Sequence, residues 1–296
     1  MNKKTITSIC SLAALSAAMI SSTYAGITET LTSLDVNFND AADHLNDTTF
    51  KRLGDFTHSE GGGITGDGAL DFAANYRAIN WKQSLTGGIG TTITQSILFT
   101  NNDLKDSYIQ QVPFVMGFTN NVNSHVANPT TGGGGTATSD AFQLQLFNSL
   151  TNNAGEPTEY ISTTLRSFID GSNGEQKYAN FAYTETSNLR FDLTLTRTDT
   201  ATFDWGFVIT DVGEDGAGST VVVSNTLTSL TSADFGASLD EGGIYAGLRS
   251  GNQASGLVSG VDQWSVNVVP VPEPRAYALL AGALALISVM IRRRSS

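Results

Sequence analysis

The chain of 296 residues holds one cysteine, Cys10, inside an apolar N-terminal run. Beyond that run it can form no disulfide, supply no thiolate nucleophile and build no cysteine metal site. Histidine is nearly as scarce. His44, His58 and His125 each stand in polar, loop-like surroundings, without the His-x-x-x-His or His-Glu pairing of a zinc site. No Gly-x-Ser-x-Gly elbow is present to hold a serine nucleophile. Glu-x-Asp is also absent. Alternate residues of a strand share a face, so that spacing would set two carboxylates on one wall of a cleft, as glycan cleavage requires. Here Glu214 and Asp215 are adjacent, and Glu156 and Glu159 flank Pro157 in a loop. Basic residues are few as well, 16 Lys and Arg against 28 Asp and Glu, for a net charge of −12. Nucleic acid and anionic lipid are disfavoured as partners, because both need broad basic surfaces.

What is present begins at the two ends. Lys3 and Lys4 precede a largely apolar run over residues 6–20, and Thr23-Tyr24-Ala25 offers a small-x-small cleavage site. This is the pattern of an export signal over residues 1–25, with Gly26 starting the mature chain. The other end reads Pro270-Val271-Pro272-Glu273-Pro274-Arg275, then an uncharged run over 276–291, then Arg292-Arg293-Arg294. As a helix the run would rise roughly 24 Å, short of a hydrocarbon core of about 30 Å. Tyr277 and snorkelling arginines would extend its reach, and the arginines would hold the C-terminus in the cytoplasm. The arrangement resembles the PEP-CTERM sorting signal of envelope-bearing bacteria. The resemblance implies that Pro272, Glu273, Pro274, Arg292, Arg293 and Arg294 are sorting residues. It also implies removal of the front by signal peptidase and recognition of the tail by an exosortase. The protein would be held in the inner membrane by a transmembrane helix over 276–291, then passed to the cell surface or the extracellular matrix.

Setting both signals aside leaves ten basic and 27 acidic residues between 26 and 272, near −17. Helical periodicity is scarce in this region, and no repeat or linker divides it. Period-two runs rich in Thr, Val, Ile and Phe dominate. Phe191, Leu193 and Leu195 alternate with Asp192, Thr194 and Thr196; Phe203, Trp205, Phe207 and Ile209 share a second face; Phe142, Leu144 and Leu146 share a third. Further candidates lie at 31–39, 69–72, 91–100, 112–119, 219–230, 244–249 and 262–269. Glycine-rich loops at 60–63, 131–136 and 213–218 supply turns with positive φ. About a dozen strands, each with one apolar face and no intervening helix, predict an all-β fold. Its form is two antiparallel sheets packed face to face in a jelly-roll sandwich over 26–269.

Three segments resemble the concanavalin A-like lectin/glucanase fold in its laminin-G-like form. They are 34–40 followed by 66–72 as an opening strand pair, 189–198 running into 207–213 as consecutive core strands, and 247–250 with 260–266 as final strands, the last returning beside the first. The resemblance implies a non-catalytic glycan-binding or adhesion module with extracellular polysaccharide as partner. A polysaccharide hydrolase or a purely structural surface protein are the alternatives. It admits calcium, for which Asp211 and Asp215 in a glycine-rich turn are the candidate ligands, with Asp40, Asp43 and Asp47 as a second cluster. Trp205 and Trp264, flanked by apolar residues on their own faces, are expected in the core. Trp81, beside Tyr76, Arg77, Asn80 and Lys82, is the expected exposed sugar platform, with Tyr76 as its companion.

Overall fold

A computed structural model describes residues 33–40, 46–54, 57–59, 64, 68–71, 77–101, 111–124, 140–148, 160–169, 172–182, 188–250 and 259–269, with six positions near the C-terminus. All belong to one unit, Ser33–Ser296. The first strands are β1 (Ser33–Val36), β2 (Phe50–Leu53), β3 (Thr57–Ser59), β4 (Ala69–Asp71) and β5 (Ala78–Trp81). Longer strands follow: β6 (Thr92–Asn101), β7 (Gln111–Thr119), β8 (Ala141–Asn148), β9 (Tyr160–Ile169) and β10 (Ser172–Ala182). The series continues with β11 (Asn188–Arg197), β12 (Thr202–Gly213), β13 (Thr220–Thr231), a helix α1 (Ala233–Glu241), β14 (Tyr245–Ser250) and β15 (Ser259–Val269).

Every described pairing is antiparallel, and the strands form two sheets. Sheet A has eight strands in the order β13-β12-β11-β6-β15-β4-β3, with β1 also on β15. Sheet B has seven, in the order β10-β9-β8-β7-β14-β5-β2. Neighbours distant in sequence, such as β6 beside β15, give the crossed connectivity of a jelly roll. The expected return of the last strand beside the first is seen, with Leu34 opposite Val266 and Val36 opposite Trp264. The expected opening pair is not a pair: β1 and β4 lie end to end along one edge of β15, where β4 meets only Gly260 and Val261. The 11-residue β15 is long enough to take both short strands, so they have no need of each other.

The alternating faces of β11 and β12 bury the residues expected of them, and Trp205 and Trp264 lie in the core. Phe142 from sheet B meets Phe203 and Trp205 from sheet A, while Phe50 stacks on Trp264 with ring centroids 5.6 Å apart. One polar side chain spans the core. Gln95 is fully buried, and its Nε2 donates to the Gly247 carbonyl of the opposite sheet at 3.1 Å.

The absence of helices expected from the sequence is corrected by α1. Ser232 is its N-cap, in extended conformation, with its hydroxyl accepting from Phe235 N at 3.0 Å. Gly242, at φ 80°, ends it in the left-handed conformation that glycine takes most easily. The helix buries Phe235 and Leu239 against the end of the sandwich. Gly236 lets it approach closely, since a Cβ there would stand 2.2 Å from the Thr200 carbonyl oxygen.

The expected membrane segment is described at six positions, Gly282, Leu284, Leu286, Ile287, Met290 and Ile291, all helical. Leu284, Leu286 and Ile291 are exposed. Among the described residues no helix is long and apolar enough to cross a membrane. The expected export signal and the sorting residues Pro272, Glu273, Pro274, Arg292, Arg293 and Arg294 lie outside the described residues.

Candidate ligand-binding face

Sheet B turns one face to the core and the other away from it, and register assigns residues to each. Ile79, Leu248, Met116 and Leu144 form an inward row across β5, β14, β7 and β8. The adjacent outward row is polar: Lys51 opposes Asn80, then come Gly247, Gly117 and Gln143, and Arg166 opposes Gln176 at the far side. A second outward row includes Ala78, Arg249, Val115, Gln145, Thr164 and Tyr178.

The middle of this outward face is buried, which alternation alone does not foretell. Asn80 and Gln143 are fully buried and Thr164 nearly so. Asn80 Nδ2 donates to the carbonyls of Val122 and Ser124, both at 2.8 Å, which brings residues 120–124 over the sheet. Among the described residues, Asn80 Oδ1, both amide atoms of Gln143 and Thr164 Oγ1 have no hydrogen-bond partner. A buried polar atom left in that state costs about 1–3 kcal/mol. Such a row is a buried polar layer, closed from above at Asn80 by residues 122 and 124.

At the β9–β10 side the face opens. The Arg166 guanidinium lies 4.6 Å from the centroid of Phe168, its neighbour two residues along the same face. Burial lowers its pKa from the ordinary arginine value, and nearby Tyr178 opposes that shift. Tyr178 is 66% exposed, with its hydroxyl donating to Gln176 Oε1 at 2.8 Å.

At the opposite edge, β2 and the end of β5 border a depression of about 410 Å³, lined by Asp47, Phe50, Lys51, Arg52, Gly54 and Lys82. That size suits a small organic ligand. Asp47 accepts from Arg52 Nη2 at 3.0 Å, and its backbone carbonyl accepts from Lys82 Nζ. Gly54, at φ 111°, leaves room for Arg77, whose Cδ would stand 2.4 Å from a Cβ at that position.

Trp81 borders this depression in sequence but not in space. It is 6% exposed and belongs to the core cluster, so the expectation of an exposed platform is corrected. The cause is the pleat. Ile79 and Trp81 share the inward face of β5 while Asn80 takes the outward one, so the polar neighbour that suggested exposure points the other way. Tyr76 lies outside the described residues. The residues that sequence reasoning missed are Lys51 and Arg52. Their only signal was a basic pair within an acidic chain.

The candidate calcium ligands are engaged locally. Asp211 Oδ1 accepts from Gly213 N at 2.8 Å, and Asp215 Oδ1 from Ala217 N at 3.0 Å, so both carboxylates shape the turn after β12. Gly213 and Gly216 take the positive φ expected of that loop. Among the described residues no group of three or more His, Cys, Asp and Glu could hold a metal ion. Asp40 and Asp47 are exposed, and Asp43, His44 and His125 lie outside the described residues. The donor set that is described does not fit calcium, which takes six to eight oxygens.

Comparison with known proteins places this geometry in a class. The fold is similar to that of a peanut lectin solved with a nine-residue peptide, at 11% identity and a TM-score of 0.50, covering 80% of this chain and 97% of that one. Lectin II from Ulex europaeus covers 98% of its own length and 80% of this chain, at 10% identity and a TM-score of 0.49. The exoplasmic/lumenal domain of VIP36, solved with Ca2+ and Man2, covers 94% of its own length and 84% of this chain, at 11% identity and a TM-score of 0.48. The chain has the concanavalin A-like lectin fold. At such identity the likeness defines architecture only. No family model matches the chain, and no curated protein matches it in sequence.

Proposed function

We propose that this chain is a non-catalytic carbohydrate-binding module, exported by its N-terminal signal and delivered to the cell surface or matrix by a PEP-CTERM tail. The observation that carries the binding reading is the 410 Å³ depression at the β2 edge of sheet B, with Lys51, Arg52 and Lys82 in its lining. Cationic donors at a concave edge are what a polyhydroxylated chain needs. The lectin-like fold and its laminin-G-like segments agree with the reading without requiring it.

Catalysis has less support. Glycoside hydrolysis takes a pair of carboxylates flanking the bond. The seven strands of sheet B carry one acidic residue, Glu175, and the depression is lined by one, Asp47, which is held by Arg52. Calcium is no part of the proposed contact, because Asp211 and Asp215 already serve turn amides.

A glycan array probed with the full-length chain in detergent micelles tests binding. Retention of at least one polysaccharide, reduced by Lys51→Ala, is the expected result. An array blank at all positions would end the reading. The address is tested separately. Replacing Arg292, Arg293 and Arg294 by serine should block tail processing and leave an uncleaved precursor on immunoblots of cell fractions. Normal maturation of that variant would reject the proposed topology.

A further inference from the structure

We infer that the ligand of the depression at the β2 edge is anionic, an acidic polysaccharide whose carboxylate or sulfate groups seat against Lys51, Arg52 and Lys82; this rests on the glycan-binding reading above. The chain as a whole argues the reverse, since its mature part is near −17. The fold sorts that charge. The strands of sheet B carry Lys51, Arg52, Arg166, Lys177 and Arg249 against Glu175 alone, a net +4; of these Lys51, Arg166 and Arg249 have the outward register, Arg52 lies at the β2 edge opposite Ile79, and Lys177 reaches across to the Thr226 carbonyl of β13. Those of sheet A carry six aspartates against Arg190 and Arg197, a net −4. At physiological salt the Debye length is about 8 Å, so an approaching ligand feels the nearer sheet and little of the farther one.

The cations converge further at one corner. Of the ten Lys and Arg residues between 26 and 272, four belong to it: Lys51, Arg52 and Lys82 line the depression, and Arg77 lies against Gly54 on its rim. The carboxylate of Asp47 answers Arg52. Lys51 makes no hydrogen bond or ion pair among the described residues, and Lys82 is exposed.

Charged residues on an edge strand also guard against pairing with another chain. That account covers Lys51 and Arg52 on β2 but not Arg77 and Lys82, which flank β5 and belong to no edge strand. The long edge strand of sheet A, β13, carries no charge of its own and is met by the Lys177 ammonium of β10 at the Thr226 carbonyl.

Polygalacturonate and its fully methyl-esterified form share a backbone and differ in charge, so they separate the inference from the reading beneath it. Binding of each to the full-length chain is measured in chelator, at low and at 0.5 M salt (about a 4 Å screening length). The acid form should bind, and weaken with salt, while the ester should not bind. Lys51→Gln and Lys82→Gln should each weaken the acid form about three- to five-fold, and Arg190→Gln, on sheet A, should leave it unchanged. Lys51→Gln disturbs no described partner, so its effect cannot be a folding defect of the turn at Asp47. Equal binding of acid and ester would overturn the anionic inference and leave the glycan reading standing. Binding of neither, with neutral glycans retained on the array, would do the same. A chain that binds nothing would lose both. Loss caused equally by Arg190→Gln would move the site off this corner.

Discussion

Replacing Arg197 by methionine should lower the melting temperature by roughly 6–12 °C, the equivalent of about 3 kcal/mol in a domain of this size. Arg197 is 2% exposed, and each of its five N–H donors is used. Nε donates to the Asp199 carbonyl at 3.2 Å, Nη1 to the Gly87 carbonyl at 2.8 Å and to Asp240 Oδ1, and Nη2 to the Thr200 carbonyl at 2.6 Å and to Asp240 Oδ2 at 3.0 Å. One guanidinium thus joins the end of β11, the turn into β12, the 87–91 segment and helix α1. Methionine fills much of the volume but leaves the Gly87 and Thr200 carbonyls without the guanidinium, at about 1 kcal/mol or more each, and the Asp199 carbonyl with only Thr202 N at 3.4 Å. Arg197→Lys should recover little of the loss, since an ammonium cannot reproduce the planar fork.

The same node predicts a pH dependence. The hydrogen bond from Arg197 holds the Asp240 carboxyl below its ordinary value of 3.8, with a smaller coulombic contribution from Arg197 in the same direction and desolvation opposing. A carboxyl depressed on folding stabilises the protein above its unfolded pKa, and that part is lost as pH falls through the lowered folded value. The window therefore lies below about pH 4. Asp240 is more than half exposed, so its share is under about 1 kcal/mol. Melting curves of the native chain and of Asp240→Asn should converge in acid and separate at neutral pH. A melting temperature within 2 °C of native for Arg197→Met (under about 1 kcal/mol) would show that the node is dispensable.

Phe142→Ala should cost about 3–5 kcal/mol. Its ring contacts Phe235 at 4.6 Å and Trp205 at 5.2 Å, both edge-on, and Phe203 at 5.7 Å. These partners come from α1 and from sheet A, while Phe142 belongs to sheet B, so the deletion opens a cavity where three elements meet. Each aromatic pair adds about 0.5–1.5 kcal/mol beyond the area buried. Val221→Ala on β13, at 58% exposure, is the control and should stay within about 0.5 kcal/mol. Urea unfolding of both variants checks the contrast. Equal midpoints would mean that the cluster does not clamp the sheets.

The sequence showed every strand of sheet A but the three-residue β3, and in sheet B only β7, β8 and β14; much of the reason is solvent. β11 and β12 turn one face outward, so Arg190, Asp192, Thr194 and Thr196 mark it against Phe191, Leu193 and Leu195. In sheet B both faces of β7 and β8 are covered, yet Phe142, Leu144 and Leu146 still alternate with Gln143 and Gln145; a doubly covered strand need not do so. β9 was missed for that reason: Leu165 points to the core, yet Phe168 on the outward face is equally buried. β2 and β5, at four residues each, are too short for a period to declare itself. Helix α1 escaped because nine residues with Gly236 among them make a weak pattern. Its signals were Ser232 before it and Gly242 after it.

Residue order alone determined the scarcity of cysteine and histidine, the acidic balance and an all-β sandwich, because each is a matter of composition or of local period. Folding decided that Trp81 joins Trp205 and Trp264 in the core, which aspartates are spent on turns and where four of ten scattered cations gather. Those outcomes depend on register and on what lies above a strand, and both are set by partners as much as a hundred or more residues away.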